Sequence, residues 1–229
     1  MLKDFGIIKN ISREIGEAAS AAAKAIMADY TDLTGKEEEI TPQLRGEINR
    51  HLMDEVKKRL NGKTFGNCKV TVATFKKKQE STVGADLAGI LEIDFNGRKI
   101  SKAYLAQAKV GKEYLGPQGQ VFVRATNDDL QKQVSDMLEI TSDSFVFIYS
   151  KGGIHCVPAF QVALSGTNSI STESFPFRNF GSFYEEFIKC FIGDHKIAPD
   201  QLGAVNLEDY AKRLTADAAL KIAIKLPKK

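Results

Sequence analysis

The chain predicts an α/β fold: a mixed central β-sheet flanked by α-helices, with additional helices at both ends. Three observations carry this. Ile11, Ile15, Ala18, Ala22 and Ile26 recur at helical spacing, so residues 8–29 predict a helix. Residues 86–95 form a nearly continuous apolar run, as a central strand does, and Asn96-Gly97 follows as a strong hairpin turn. A second apolar run, Phe145-Val146-Phe147-Ile148-Tyr149, comes after a helical pattern over 127–139. Helices and strands therefore share one layered unit.

The other elements follow in order. A polar, turn-like segment covers 29–36. Thr41-Pro42 then opens a helix, Thr as N-cap and Pro in the first turn. Its apolar stripe is Leu44, Ile48, Leu52, Val56 and Leu60, and Asn61-Gly62 ends it. Val70, Val72 and Phe75 predict a strand near 67–76, followed by a polar loop over 78–84. The strand returning from the hairpin covers 100–110, and a Gly-containing loop covers 111–120. Gly152-Gly153 turns the Phe145 strand into a partner over 154–160. The remainder predicts a loop and two helices, over 183–192 and 207–220, the second capped by Asn206. The chain divides into an N-terminal helical extension (1–37), a core (38–164) and a C-terminal helical segment packed on that core (165–229).

Composition narrows the function. With 229 residues, 43% hydrophobic and 27% charged, the chain can bury a real core as a soluble globular protein. A net charge of +3 is too small to indicate nucleic-acid binding by itself, and Lys76-Lys77-Lys78 is the densest basic cluster. Cys68, Cys156 and Cys190 are odd in number and far apart, which argues against a disulfide framework and a structural zinc site. They suit a reducing cytoplasm. No apolar run approaches the ~20 residues that span a membrane. His51, His155 and His195 are scattered, no Gly-x-Ser-x-Gly elbow exists, and Gly116-Pro117-Gln118-Gly119 lacks the Lys-Ser/Thr of a phosphate loop.

The chemistry concentrates at one sheet end. Asp86 opens the apolar strand, and Gln107-Ala108-Lys109 closes the next. Residues i and i+2 of a strand share a face, so Gln107 and Lys109 project together, roughly 7 Å apart. If the two strands pair as a hairpin, Asp86 reaches the same edge. An acid, an amide oxygen and an ammonium converging there can hold a divalent metal beside a phosphodiester. Glu92 and Asp94 share the face of Asp86 by parity, although acids near a turn are more often solvated.

This order of elements, with Gly84-Ala85-Asp86 and Gln107-Ala108-Lys109, resembles the PD-(D/E)xK nuclease superfamily. The Gln-x-Lys variant is similar to Mrr-like restriction endonucleases and related bacterial anti-phage effector nucleases. Leu130-x-x-Gln133-x-x-x-Met137-Leu138 and the strand over 144–150 look like the segments downstream of that site. The likeness covers about 38–160. It implies a restriction-endonuclease-like fold and a Mg²⁺-dependent endonuclease, Mn²⁺ substituting, that hydrolyses DNA in bacterial defence. Asp86 would be the main metal ligand, joined by Gln107. Lys109 would position or deprotonate the attacking water, or offset transition-state charge. Gln107 stands where many members carry an acid, and an amide oxygen adds no negative charge. The helix over 41–60 offers Glu47 and Glu55, with Glu39 just before it. Glu47, at the edge of the buried stripe, is favoured. Lys112, Lys76, Lys77, Lys78 and Gln133 are the expected nucleic-acid contacts. The implied partners are DNA and either further copies of the chain or another defence subunit. The competing reading is an inactive protein of the same fold that binds nucleic acid or assembles with a subunit.

Overall fold

The computed structural model describes residues 2–29, 50–52, 54–56, 58–59, 69–76, 85–95 and 97–226. The first helix, α1, covers Leu2–Asp29. Residues 50–52, 54–56 and 58–59 are also helical, and Leu52 and Val56 of the predicted stripe are buried. Strand β1 is Lys69–Lys76, β2 is Leu87–Phe95 and β3 is Arg98–Val110. Then come β4 (Lys112–Leu115), β5 (Val121–Thr126) and helix α2 (Leu130–Ile140). Strands β6 (Ser144–Ser150) and β7 (Gly153–Pro158) lead into α3 (Ala159–Ser165). The chain ends with β8 (Ser169–Ser171), β9 (Arg178–Asn179), α4 (Phe180–Ile188), α5 (Leu207–Arg213) and β10 (Ala218–Lys225).

Seven strands form one mixed sheet in the order β1-β10-β2-β3-β6-β7-β9, and β4-β5-β8 form a second, smaller sheet. The predicted α/β architecture with flanking helices is therefore observed. The hairpin is observed too: β2 and β3 pair antiparallel as far as Phe95↔Arg98, across a turn in which Gly97 has φ +83°. Strand parity divides the core between two faces. On one face Leu87, Leu91, Tyr104, Ala106 and Phe147 pack beneath α1 and α4. On the other, Ala88, Ile90, Leu105, Val146 and Ile148 pack beneath α2, α3, α5 and the small sheet.

At the centre of the first face, Gly89 is the cross-strand partner of Tyr104, whose ring lies over it. A Cβ on Gly89 would meet that ring at 2.1 Å, which is why the strand centre carries glycine. Tyr104 is edge-on to Phe183 and Phe187 of α4, both at 4.9 Å, and its hydroxyl pairs with that of Tyr184 at 3.0 Å. This apolar ring cluster locks α4 onto the sheet.

The C-terminal expectation needs correction. The helix expected over 207–220 ends at Arg213, and β10 follows, inserted between β1 and β2. Thr215 adopts φ +51° after the Leu214 cap and stops the helix. From Ala218 the sequence alternates, Leu-Lys-Ile-Ala-Ile-Lys, the period of a strand, and only Lys221, Ala223 and Lys225 are not fully buried. The helix expected over 183–192 is shifted to Phe180–Ile188, capped by the Asn179 side chain on Ser182 N at 2.8 Å. The loop expected over 111–120 contains β4. Among the described residues no helix is long and apolar enough to cross a membrane.

Candidate functional site

The β2–β3 pairing positions the site. The register Leu87↔Ala106 puts Asp86 opposite Gln107 at the sheet end. Asp86 Oδ2 accepts two hydrogen bonds of 2.7 Å, from Gln107 Nε2 and from the backbone N–H of Ala108. Both tie one carboxylate oxygen to the Gln-x-Lys segment. Lys109 follows on the same strand, and by parity shares the face of Gln107. Gln107 and Lys109 are each only 5% exposed, while Asp86 is half-buried. Asp86 and Gln107 are thus brought together, and Lys109 shares their face by strand parity.

The amide of Gln107 is only partly satisfied. Its nitrogen donates to Asp86, but Oε1 is buried and has no hydrogen-bond partner among the described residues. A buried polar atom without a partner costs about 1–3 kcal/mol, so Gln107 Oε1 is an acceptor open to a donor or a cation. A carboxylate and an uncommitted amide oxygen side by side form the all-oxygen donor set that a hard divalent cation prefers. The residues present fit Mg²⁺ or Mn²⁺ to that extent. Among the described residues no group of three or more His, Cys, Asp or Glu side chains is gathered to hold a metal.

A second acid that sequence reasoning missed, Asp217, lies on the adjacent strand level with Asp86. The backbone N–H of Asp217 bonds Ala85 O at 3.0 Å, and the register Ala218↔Leu87 sets Asp217 level with Asp86 on the adjacent strand. Neighbouring strands lie about 4.8 Å apart. Each Asp immediately precedes its strand, β10 or β2. The alternation from Ala218 onward was the available signal, but reading 207–220 as a helix placed Asp217 on a helix surface instead.

The other expected residues are distributed differently. Glu47, favoured to complete the site, and Glu39 lie outside the described residues, as do Lys77 and Lys78. Glu55 is described, and it forms ion pairs with Lys58 at 3.3 Å and Arg59 at 3.7 Å. The backbone of Lys76 pairs with Ala218, at the same sheet end as Asp86, two strands away. Glu92 lies six residues along β2, about 20 Å from Asp86, and is paired with Lys221 at 2.5 Å. Lys112 is exposed on β4, three residues beyond Lys109.

Helix α2 covers the face that carries the trio, with Leu130, Val134 and Met137 buried against it. Gln133 sits among them on the helix, and its Oε1 is another buried oxygen without a partner among the described residues. Gln131 instead ties α2 to α3, donating to Val162 O at 2.8 Å and to Thr167 O at 2.6 Å. Comparison with protein-family models, with curated proteins and with solved structures returned no match.

Proposed function

We propose that the chain is a metal-dependent endonuclease that hydrolyses DNA phosphodiester bonds at Asp86, Gln107 and Lys109, in the manner of PD-(D/E)xK enzymes of bacterial defence. The observation that carries this reading is the buried Gln107 Oε1, unpartnered among the described residues, beside an Asp86 carboxylate that is itself held by two donors. A structural Asp–Gln pair has no need of that orphaned oxygen. A bound divalent cation supplies Lewis acidity toward the phosphate and lowers the pKa of water.

The chain's own groups then have distinct tasks. Asp86 holds negative charge at the sheet end, fixed in place by Gln107 Nε2 and Ala108 N. Gln107 offers an oxygen without adding charge. Lys109, buried on the same face, is assigned the task of orienting the attacking water or offsetting charge on the phosphate oxygens. Asp217 is the candidate for the second carboxylate, because Gln107 leaves the site one charge short of an acid-x-Lys arrangement. Such a charge requirement is common to sites that gather phosphate and divalent cation.

The test is incubation of the purified protein with plasmid and phage DNA in Mg²⁺, Mn²⁺ or EDTA. Cutting is expected with either cation and not in EDTA. Asp86→Ala and Lys109→Ala should each lower it by at least 100-fold, roughly the effect of removing one preorganised transition-state donor. Metal-dependent cutting that persists in either variant refutes the assignment. DNA binding with no cutting in either cation supports the inactive, nucleic-acid-binding alternative.

A further inference from the structure

We propose that the outward face of the β4–β5 hairpin is the surface that grips the nucleic-acid backbone beside the site, with Lys112 and Arg124 as the phosphate contacts. The proposal rests on the nuclease reading for its substrate, but its observations lie outside the catalytic trio.

Lys112 and Arg124 are directly opposite one another across the hairpin, and both are exposed. Opposed Cα atoms in an antiparallel pair lie about 4.5–5.5 Å apart, so two like charges face each other, which weakens a sheet. No ion pair relieves either cation among the described residues. The nearest acid in sequence, Glu113, projects from the opposite face of the ribbon by parity, where it accepts from Gly152 N at 2.6 Å. An unrelieved cation pair on a solvated face is complementary to a polyanion.

Arg124 is also held ready. Its guanidinium lies over the Tyr114 ring at 4.8 Å. Tyr114 is fixed in turn by its hydroxyl, 2.6 Å from Ser171 Oγ and 2.8 Å from Glu173 Oε2, and its ring sits 5.7 Å from that of Phe122. Glu173 is engaged with the phenol. A guanidinium spread on an aromatic ring keeps its N–H donors outward and loses less freedom when it meets a phosphate.

The hairpin is rigidly joined to the catalytic strand. Gly111 links β3 to β4 and its N–H bonds Tyr149 O at 2.7 Å. A Cβ there would meet Val123 Cγ1 at 2.4 Å and Ile148 Cγ2 at 2.5 Å. The close approach seats β5 directly on β6. Lys112 is three residues from Lys109, about 10 Å along an extended chain, which is about three base steps of duplex.

The experiment is fluorescence anisotropy of a labelled DNA duplex with the full chain in EDTA, where the proposed chemistry is off, across a salt series. The double variant Lys112→Glu/Arg124→Glu should weaken binding at least 10-fold. It should also make the salt dependence shallower by about 1.8 in slope, roughly 0.9 for each phosphate no longer neutralised. Tyr114→Leu should weaken binding less and leave the slope unchanged, since it only releases Arg124. An unchanged thermal midpoint verifies that these exposed changes spare the fold. Affinity and slope equal to wild type in the double variant overturn the proposal, as does a wild-type chain that does not bind DNA. Displacement of the DNA by poly-glutamate at equal charge concentration assigns the face to an acidic protein instead, and overturns it too. Failure of this surface leaves Mg²⁺-dependent cutting intact. Failure of the nuclease reading leaves salt-sensitive binding intact without cutting, so the two outcomes are separable.

Discussion

Asp86 and Gln107 show how one hydrogen bond defines the candidate site. The amide nitrogen is spent on the carboxylate at 2.7 Å, which leaves Oε1 buried without a partner among the described residues. Gln107→Glu removes the donor and puts a second negative charge against Asp86. In EDTA this variant should lose about 1–3 kcal/mol of stability, read as a lower thermal midpoint, and Mg²⁺ should restore it. A midpoint indifferent to Mg²⁺ contradicts a cation at this pair. The trio was legible in the sequence because an Asn-Gly turn fixes register, and parity then fixes the shared face. Asp217 was not legible, since its approach to Asp86 depends on a strand contributed from more than a hundred residues away. Hydrophobic spacing within a short segment carries no record of such long-range pairing.

Elements explain which expectations survived. The long α1, the β2–β3 hairpin, α2 and β6 each have enough apolar periodicity to declare their type. β10 declares itself only in its alternating second half, because the Ala-rich residues at its start suit a helix as well as a buried strand. Its neighbours on both sides decide the matter: β1 antiparallel, β2 parallel. β4 was hidden for a related reason, its four residues being too few and too polar to show alternation. The central hairpin is also where packing is least forgiving. Gly89→Ala drives a methyl group into the Tyr104 ring, which is clamped between Phe183 and Phe187. It should destabilise by about 1–3 kcal/mol or more, measured by urea unfolding. A change below ~0.5 kcal/mol shows that the ring is not clamped as described.

At the scale of the whole molecule, one sheet separates two cores, and the Asp86–Gln107 pair sits at the end of the sheet on the side of the second core. The first core is aromatic and centred on Tyr104 and α4. The second carries the trio, α2 and the small sheet. One titrating group couples this assembly to acidity. Burial lowers the His155 imidazole below its usual range, with Glu113 opposing weakly. The unfolded imidazole titrates near ~6.5, so below that pH the unfolded chain binds a proton that the folded chain resists. Global stability should therefore fall as pH drops from about 6.5 through the lowered value, and the slope should be shallower in His155→Gln. Equal slopes in the two proteins contradict a lowered pKa for half-buried His155.

The most direct measurement is Mg²⁺-dependent cleavage of plasmid DNA by Asp86→Asn. Asparagine keeps an oxygen to accept from Gln107 Nε2 and Ala108 N, so folding should be spared, while the charge is lost. A metal-holding Asp86 requires a thermal midpoint near that of the wild type and cleavage reduced by at least 100-fold. A folded Asp86→Asn protein that cuts at the wild-type rate contradicts that role.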